Sequence, residues 1–128
     1  MGRVLVVEDD HAICAFITDV LEEAGVETVC VQTDRAAYAV LATSPTFRAL
    51  VLDINLGSGT TGYDVGRFAR QAIPDLPVIY MSGETSESSF EAFGVSDSEF
   101  LAKPFTRAEL LSALRKHEAR TLTQTEGP

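Results

Sequence analysis

The sequence predicts an α/β fold built on a doubly wound parallel sheet. Two features predict it: short apolar runs of strand character alternate five times with segments of helical period, and four of the five runs end on a polar or charged residue. The length of 128 residues suits one domain, which at this size buries roughly two-thirds of the surface its unfolded chain exposes.

Val4–Val7 is a β-branched run flanked by acids and reads as a strand buried on both faces. Ile13, Phe16, Ile17, Val20, Leu21 and Ala24 then recur at helical spacing, with Gly25 where a helix-terminating residue belongs. Residues 27–31 read as a second strand. Thr33 or Asp34 caps a second helix that turns Ala37, Val40 and Leu41 inward and ends before Pro45. Residues 49–52 form a third buried strand that runs into Asp53. Residues 57–62 are loop by composition, and Val65, Phe68, Ala69 and Ala72 mark a third helix that stops before Pro74.

The fourth strand covers residues 77–81, with proline at its first position, where the missing N–H is tolerated. A polar loop at 82–86 follows. Phe90 and Phe93 suggest a short helix ending near Gly94, and residues 100–102 a brief fifth strand. Thr106 and Glu109 form a capping box that opens the last helix, with Leu110, Leu111 and Leu114 inside. Periodicity ceases at Thr121, so the expected organisation is one domain over residues 1–120 and a flexible tail at 121–128.

Ten Lys and Arg against nineteen Asp and Glu give a net charge of −9, and the pI is near 4.5. That balance argues against direct binding of nucleic acid or an anionic membrane, both of which select basic surfaces. No apolar run approaches a membrane span, and the N-terminal residues lack a secretory pattern, so a cytoplasmic location is expected. Cys14 and Cys30 lie in apolar segments without CxxC spacing and read as reduced core thiols. His11 and His117 do not complete a zinc ligand set.

In a doubly wound sheet the functional groups gather at the carboxyl ends of the strands. Here those positions are Glu8-Asp9-Asp10, Asp53, Ser82 and Lys103-Pro104. With the strands in the order 2-1-3-4-5, Asp53 faces Glu8 or Asp9 across one strand spacing, about 4.8 Å. Like charges that close repel by roughly 3 kcal/mol per pair at an effective dielectric near 20. A divalent cation resolves the conflict, and an all-oxygen ligand set favours Mg²⁺. Asp10 fits better as the N-cap of the first helix.

The segments carrying these residues, 5–10, 50–56, 78–83 and 100–105, resemble the signature segments of response-regulator receiver domains, the phosphoacceptor halves of two-component signalling. The resemblance covers about residues 3–117 with every segment in order. It implies a flavodoxin-like (βα)5 fold. It also implies a function without external catalysis, in which the domain promotes only its own phosphorylation and dephosphorylation. By resemblance Asp53 matches the phosphoacceptor, and Glu8 and Asp9 the acidic pair that holds Mg²⁺. Asn55 matches the position lending a backbone carbonyl to the metal. Lys103 matches the lysine that pairs with phosphoryl oxygens, commonly followed by a cis bond to the residue matching Pro104. Ser82 and Phe100 match the hydroxyl and the aromatic ring of the conformational switch, and Glu84 a position that modulates phosphate lifetime.

The implied partners are a histidine kinase or histidine phosphotransfer protein and a downstream protein met by the surface of the fourth helix, fifth strand and last helix, a surface that also admits a second copy in a homodimer. The chain fits a stand-alone regulator or the receiver of a hybrid kinase. One departure is the loop after Asp53, which runs Asn55-Leu-Gly-Ser-Gly-Thr-Thr-Gly62 where many receivers carry proline. The alternatives fit less well. An aspartyl-nucleophile phosphatase needs a second acid where Asn55 stands. A flavodoxin-like cofactor binder needs a phosphate loop where Glu8-Asp9-Asp10 would repel one. A phosphorylation-independent interaction module has no use for the intact acceptor, metal and lysine positions.

Overall fold

The computed structural model describes residues 2–43, 46–56, 61–83 and 87–125. Five strands alternate with five helices: β1 Val4–Val7, α1 His11–Glu23, β2 Thr28–Val31, α2 Asp34–Thr43, β3 Ala49–Asp53, α3 Gly62–Ala72, β4 Val78–Ser82, α4 Glu87–Phe93, β5 Glu99–Ala102 and α5 Arg107–Thr125. The strands pair in parallel in the order β2-β1-β3-β4-β5, as the sequence predicts. β1, β3 and β4 are buried at every position, which is why their sequences are continuous apolar runs rather than alternations.

Each face of the sheet has its own core. Val4, Val6, Val51, Ile79 and Met81 pack against Ile17, Val20 and Leu21 of α1 and Leu110 and Leu114 of α5. Leu5, Val7, Leu50, Leu52 and Tyr80 face Ala37 and Leu41 of α2 and Tyr63, Val65 and Ala69 of α3. Each fully buried leucine or isoleucine contributes roughly 1.5–3 kcal/mol by leaving water.

The helix ends follow local chemistry. Asp10 caps α1, its carboxylate accepting from the amides of Ala12 (2.8 Å) and Ile13 (3.2 Å). Gly25, at φ +81°, supplies the left-handed residue after that helix. Thr33 rather than Asp34 takes the capping role on α2, accepting from Ala36 N–H. The box at α5 forms: Thr106 N–H donates to Glu109, and Glu109 N–H donates to Thr106 Oγ1. α5 continues through Thr125, past the residue at which its apolar period stops. Pro45, most of the predicted 57–62 loop and residues 84–86 lie outside the described residues.

Three expectations are corrected. Phe16, counted in the inward stripe of α1, is 40% exposed because it stands at the edge of that stripe, beside Phe105. Phe68 and Ala72 of α3 also face outward. Gly62, Tyr63, Val65, Gly66 and Ala69 form the buried face instead, and the glycine at 66 leaves room for the Tyr80 ring. The cysteines do not stand apart as reduced thiols: Cys14 of α1 and Cys30 of β2 are joined in a disulfide. The crossover from α1 to β2 folds back on itself and brings together positions 16 residues apart in sequence.

Gly62 is required by close approach. A Cβ there would lie 2.2 Å from the carbonyl oxygen of Asp53, and Gly62 N–H donates to Ile54 O at 2.8 Å. Gly62→Ala is therefore expected to cost about 2 kcal/mol by forcing backbone apart at a packed site. Urea unfolding measures it; an unchanged midpoint would show that the start of α3 shifts freely.

Candidate functional site

The carboxyl ends of four strands converge. Val7 and Leu52 are register partners, so the residues that follow them, Glu8 and Asp53, lie side by side. Ser82 ends β4, and its carbonyl accepts from Lys103 N–H at 2.9 Å, which fixes the residue after β5 against it. Glu8 and Asp53 are buried (0% and 3% exposed), whereas Asp9 is exposed. One carboxylate oxygen from each of the three lies within 4.8 Å of the others. Lys103 Nζ sits 2.7 Å from Glu8 Oε1 and 3.4 Å from Asp53 Oδ2.

Burial dominates the electrostatics. It pushes the Glu8 carboxyl up to about 7, against the opposing pull of the Lys103 ammonium and of Asp10 N–H, which donates to Glu8 Oε2 at 3.1 Å. Asp53 is raised for the same reason, opposed by Lys103 and by Asn55 N–H, which donates to its Oδ1 at 3.1 Å. At Lys103 burial acts downward, but the hydrogen bond to Glu8 and the charges of Asp53 and Glu8 prevail and raise it. Three carboxylates against one ammonium leave an excess of negative charge at a desolvated point. The residues fit a divalent cation: three hard oxygen donors at close range, with the exposed Asp9 side leaving space for water ligands.

Most of the other predicted residues gather around this cluster. Ser82 is 2% exposed, and Asn55 Nδ2 donates to its Oγ at 3.4 Å. Phe100 is half-buried, its ring centroid 5.4 Å from that of Phe90 and its side chain against the core that holds Tyr80. The Lys103–Pro104 peptide is cis. Asp10 is occupied in capping α1, and Glu84 lies outside the described residues. Tyr80 is fully buried and its hydroxyl accepts from Val95 N–H at 3.2 Å, whereas Phe93 is 58% exposed. Two links have no counterpart in the sequence reading, the close pairing of Lys103 with Glu8 and the Asn55–Ser82 hydrogen bond. Neither leaves a local signal in the sequence. The approach of Gly62 to Asp53 did leave one, a glycine closing the loop after β3.

Residues 4–115 match the family described as response regulator receiver domain. The chain belongs to that family. Among curated relatives, the receiver domain is 32% identical over 130 residues to the response regulator protein FleR of Pseudomonas aeruginosa, covering 99% of this chain and 27% of FleR. It is 28% identical to the response regulator receiver protein CpdR of Brucella abortus, covering 91% of this chain and 96% of CpdR. It thus spans about a quarter of one relative and nearly all of the other. Among solved structures, a response regulator receiver protein from Sinorhizobium medicae aligns with a TM-score of 0.88 at 28% identity, covering 94% of this chain and 96% of that one. No helix of the described residues is long and apolar enough to cross a membrane.

Proposed function

We propose that this receiver domain, taken as residues 1–120, accepts a phosphoryl group on Asp53 from a phosphohistidine of a histidine kinase or histidine phosphotransfer protein in the cytoplasm. A carboxylate oxygen of Asp53 attacks phosphorus, the phosphorus–nitrogen bond breaks, and the imidazole leaves with the electron pair and takes up a proton. The product is an acyl phosphate. The observation that carries this reading is the buried carboxylate of Asp53 beside Glu8 and Asp9, with Lys103 Nζ 3.4 Å away.

Transfer of this kind depends on positioning and on stabilising negative charge. Lys103 is positioned to pair with a phosphoryl oxygen, turning from Glu8. Asn55 N–H holds the acceptor carboxylate in a fixed orientation. We assign Glu8, Asp9 and Asp53, with the Asn55 carbonyl, to holding Mg²⁺. Such an ion, when bound, neutralises charge on the oxygens of the transferring group.

Ser82 and Phe100 form the switch in this reading. A new phosphoryl group offers strong acceptor oxygens to the Ser82 hydroxyl, which then releases Asn55. The inward movement of Ser82 frees space for Phe100 and alters the surface of α4, β5 and α5, where a downstream protein or a second copy would dock. Glu84 belongs to the same loop and is assigned a part in phosphate lifetime. Ser82→Ala is expected to accept phosphate at near the parent rate but to lose most of the amide chemical-shift changes in β5 and α5. Equal changes in variant and parent would remove Ser82 from the switch.

The function is tested with a small phosphodonor. Acetyl phosphate with Mg²⁺ is expected to give one acid-stable, base-labile phosphoryl group per chain, and chelation of the metal to prevent it. Labelling unaffected by chelation would contradict the assignment.

The metal also makes a prediction for pH. Because the folded chain holds the Glu8 proton up to about 7, against 4.5 for an unperturbed glutamate, the metal-free protein loses stability as pH rises through that window. Mg²⁺ competes with that proton, so its stabilisation grows across the same window. At roughly ten times its dissociation constant the ion contributes about 1.4 kcal/mol, or about 5 °C of melting temperature. Thermal melts are expected to show that increment near pH 8 and little of it near pH 5, about the unperturbed glutamate value. An equal increment at both would place the ion elsewhere.

A further inference from the structure

The two cysteines take no part in the phosphoryl chemistry. Cys14 lies near the start of α1, four residues after its cap, and Cys30 lies on β2, opposite Val6 of β1 in register. Their Cα atoms are 6.4 Å apart, within the 4.4–6.8 Å that a disulfide spans. Cys14 is nearly covered, at 6% exposure, whereas Cys30 is half-buried, packed against the α1-side core from an edge strand of the sheet. They are the chain's two cysteines, so each has the other as its intramolecular partner.

Nothing in the fold requires the bond. Cys30 is already held by the β1–β2 ladder, and α1 by the burial of Ile17, Val20 and Leu21 against the sheet. Domains of this size with a full core on each face are stable without staples, which small secreted scaffolds need. A bond that the fold can do without, with one of its cysteines on a half-buried edge strand, follows the thiol–disulfide balance of its surroundings.

We propose that Cys14 and Cys30 are a reversible dithiol–disulfide couple, a modification site whose co-substrate is a low-molecular-weight disulfide and whose oxidised form fastens α1 to edge strand β2. The Cys30 thiol loses its proton and attacks one sulfur of glutathione disulfide. A bond forms between Cys30 and that sulfur, the small disulfide breaks, and one glutathione leaves as the thiol. Cys14 then attacks Cys30 sulfur, loses its proton and releases the second glutathione. Two cysteine thiols are oxidised to one disulfide while one small disulfide is reduced to two thiols, and excess glutathione reverses both steps. This couple stands independently of the phosphoacceptor assignment.

The test equilibrates the folded full-length chain across a series of glutathione to glutathione disulfide ratios, blocks free thiols with an alkylating agent and reads intact mass. The expected result is two species, carrying two labels or none, that exchange with one midpoint from either direction. The oxidised form is expected to melt about 10 °C higher, the effect of closing a loop of this length. In Cys30→Ser and in Cys14→Ser the melting temperature is expected not to respond to the ratio. Two labelled thiols at every ratio would overturn the proposal, as would a stable mixed disulfide with glutathione, a bond that glutathione does not open, or a reduced chain that is unfolded at room temperature. A ratio-dependent melt that persists in both serine variants would overturn it too.

Discussion

An Asp53→Asn chain is expected to take up phosphoryl groups from acetyl phosphate at least about a thousand-fold more slowly than the parent, at the level of background, because the substitution removes the proposed nucleophile. The substitution is close to isosteric, and its fold is expected to hold. The carbonyl of the new amide still accepts from Asn55 N–H, and one of two carboxylates competing for Lys103 disappears. Asp53 is held above its ordinary carboxylate range by burial, so its charged form works against folding. The metal-free variant should therefore melt no lower than the parent, and its loss of labelling cannot be ascribed to unfolding. A variant that labels like the parent would move the acceptor elsewhere, and one that unfolds would show the carboxylate to be structural.

Lys103→Met is expected to have two separable effects. It removes the cation that pairs with Glu8 at 2.7 Å and Asp53 at 3.4 Å, leaving buried carboxylates without their partner. Breaking a buried pair in this way costs about 3 kcal/mol when both acids are charged. The cost has a sign in pH. Glu8, already raised to about 7, rises further without Lys103, so protonation relieves the variant as pH falls, and the deficit is largest above neutrality. Mg²⁺ should recover part of it by replacing the lost positive charge. Labelling should fall by about 100-fold even in the folded, metal-loaded variant, the effect of removing one group that stabilises developing charge. Urea unfolding across pH and the initial rate of labelling measure the two effects. A variant as stable as the parent near pH 8 would mean that the acids are not held in charged form by Lys103.

The parts of this molecule that were legible in the sequence are those fixed by local pattern. The runs 4–7, 49–52 and 78–81 are apolar without alternation because helices cover both sides of the sheet, and that alone separates them from edge strands. The change from that pattern to helical spacing locates each crossover, and the crossovers place Glu8, Asp53, Ser82 and Lys103 at one edge. What escaped the sequence depends on rotation and on distant pairs. Phe16 and Phe68 satisfy the helical spacing, but each stands at the margin of its stripe, where a small rotation of the helix decides between core and solvent. In α3 the buried face is chosen by Gly62 and Gly66, whose lack of side chains admits the Asp53 backbone and the Tyr80 ring. No hydrophobic period reports that choice. The Cys14–Cys30 link and the Lys103–Glu8 pair join residues from separate elements, and only the folded geometry couples them.

Asp53 is the residue proposed to carry phosphate. Phosphorylating the chain with acetyl phosphate and Mg²⁺, reducing the acyl phosphate with borohydride and sequencing the peptides by mass spectrometry tests this most directly. A single modified position is expected, Asp53, converted to homoserine. Modification at Glu8, Asp9 or a hydroxyl residue, with Asp53 untouched, would contradict the assignment.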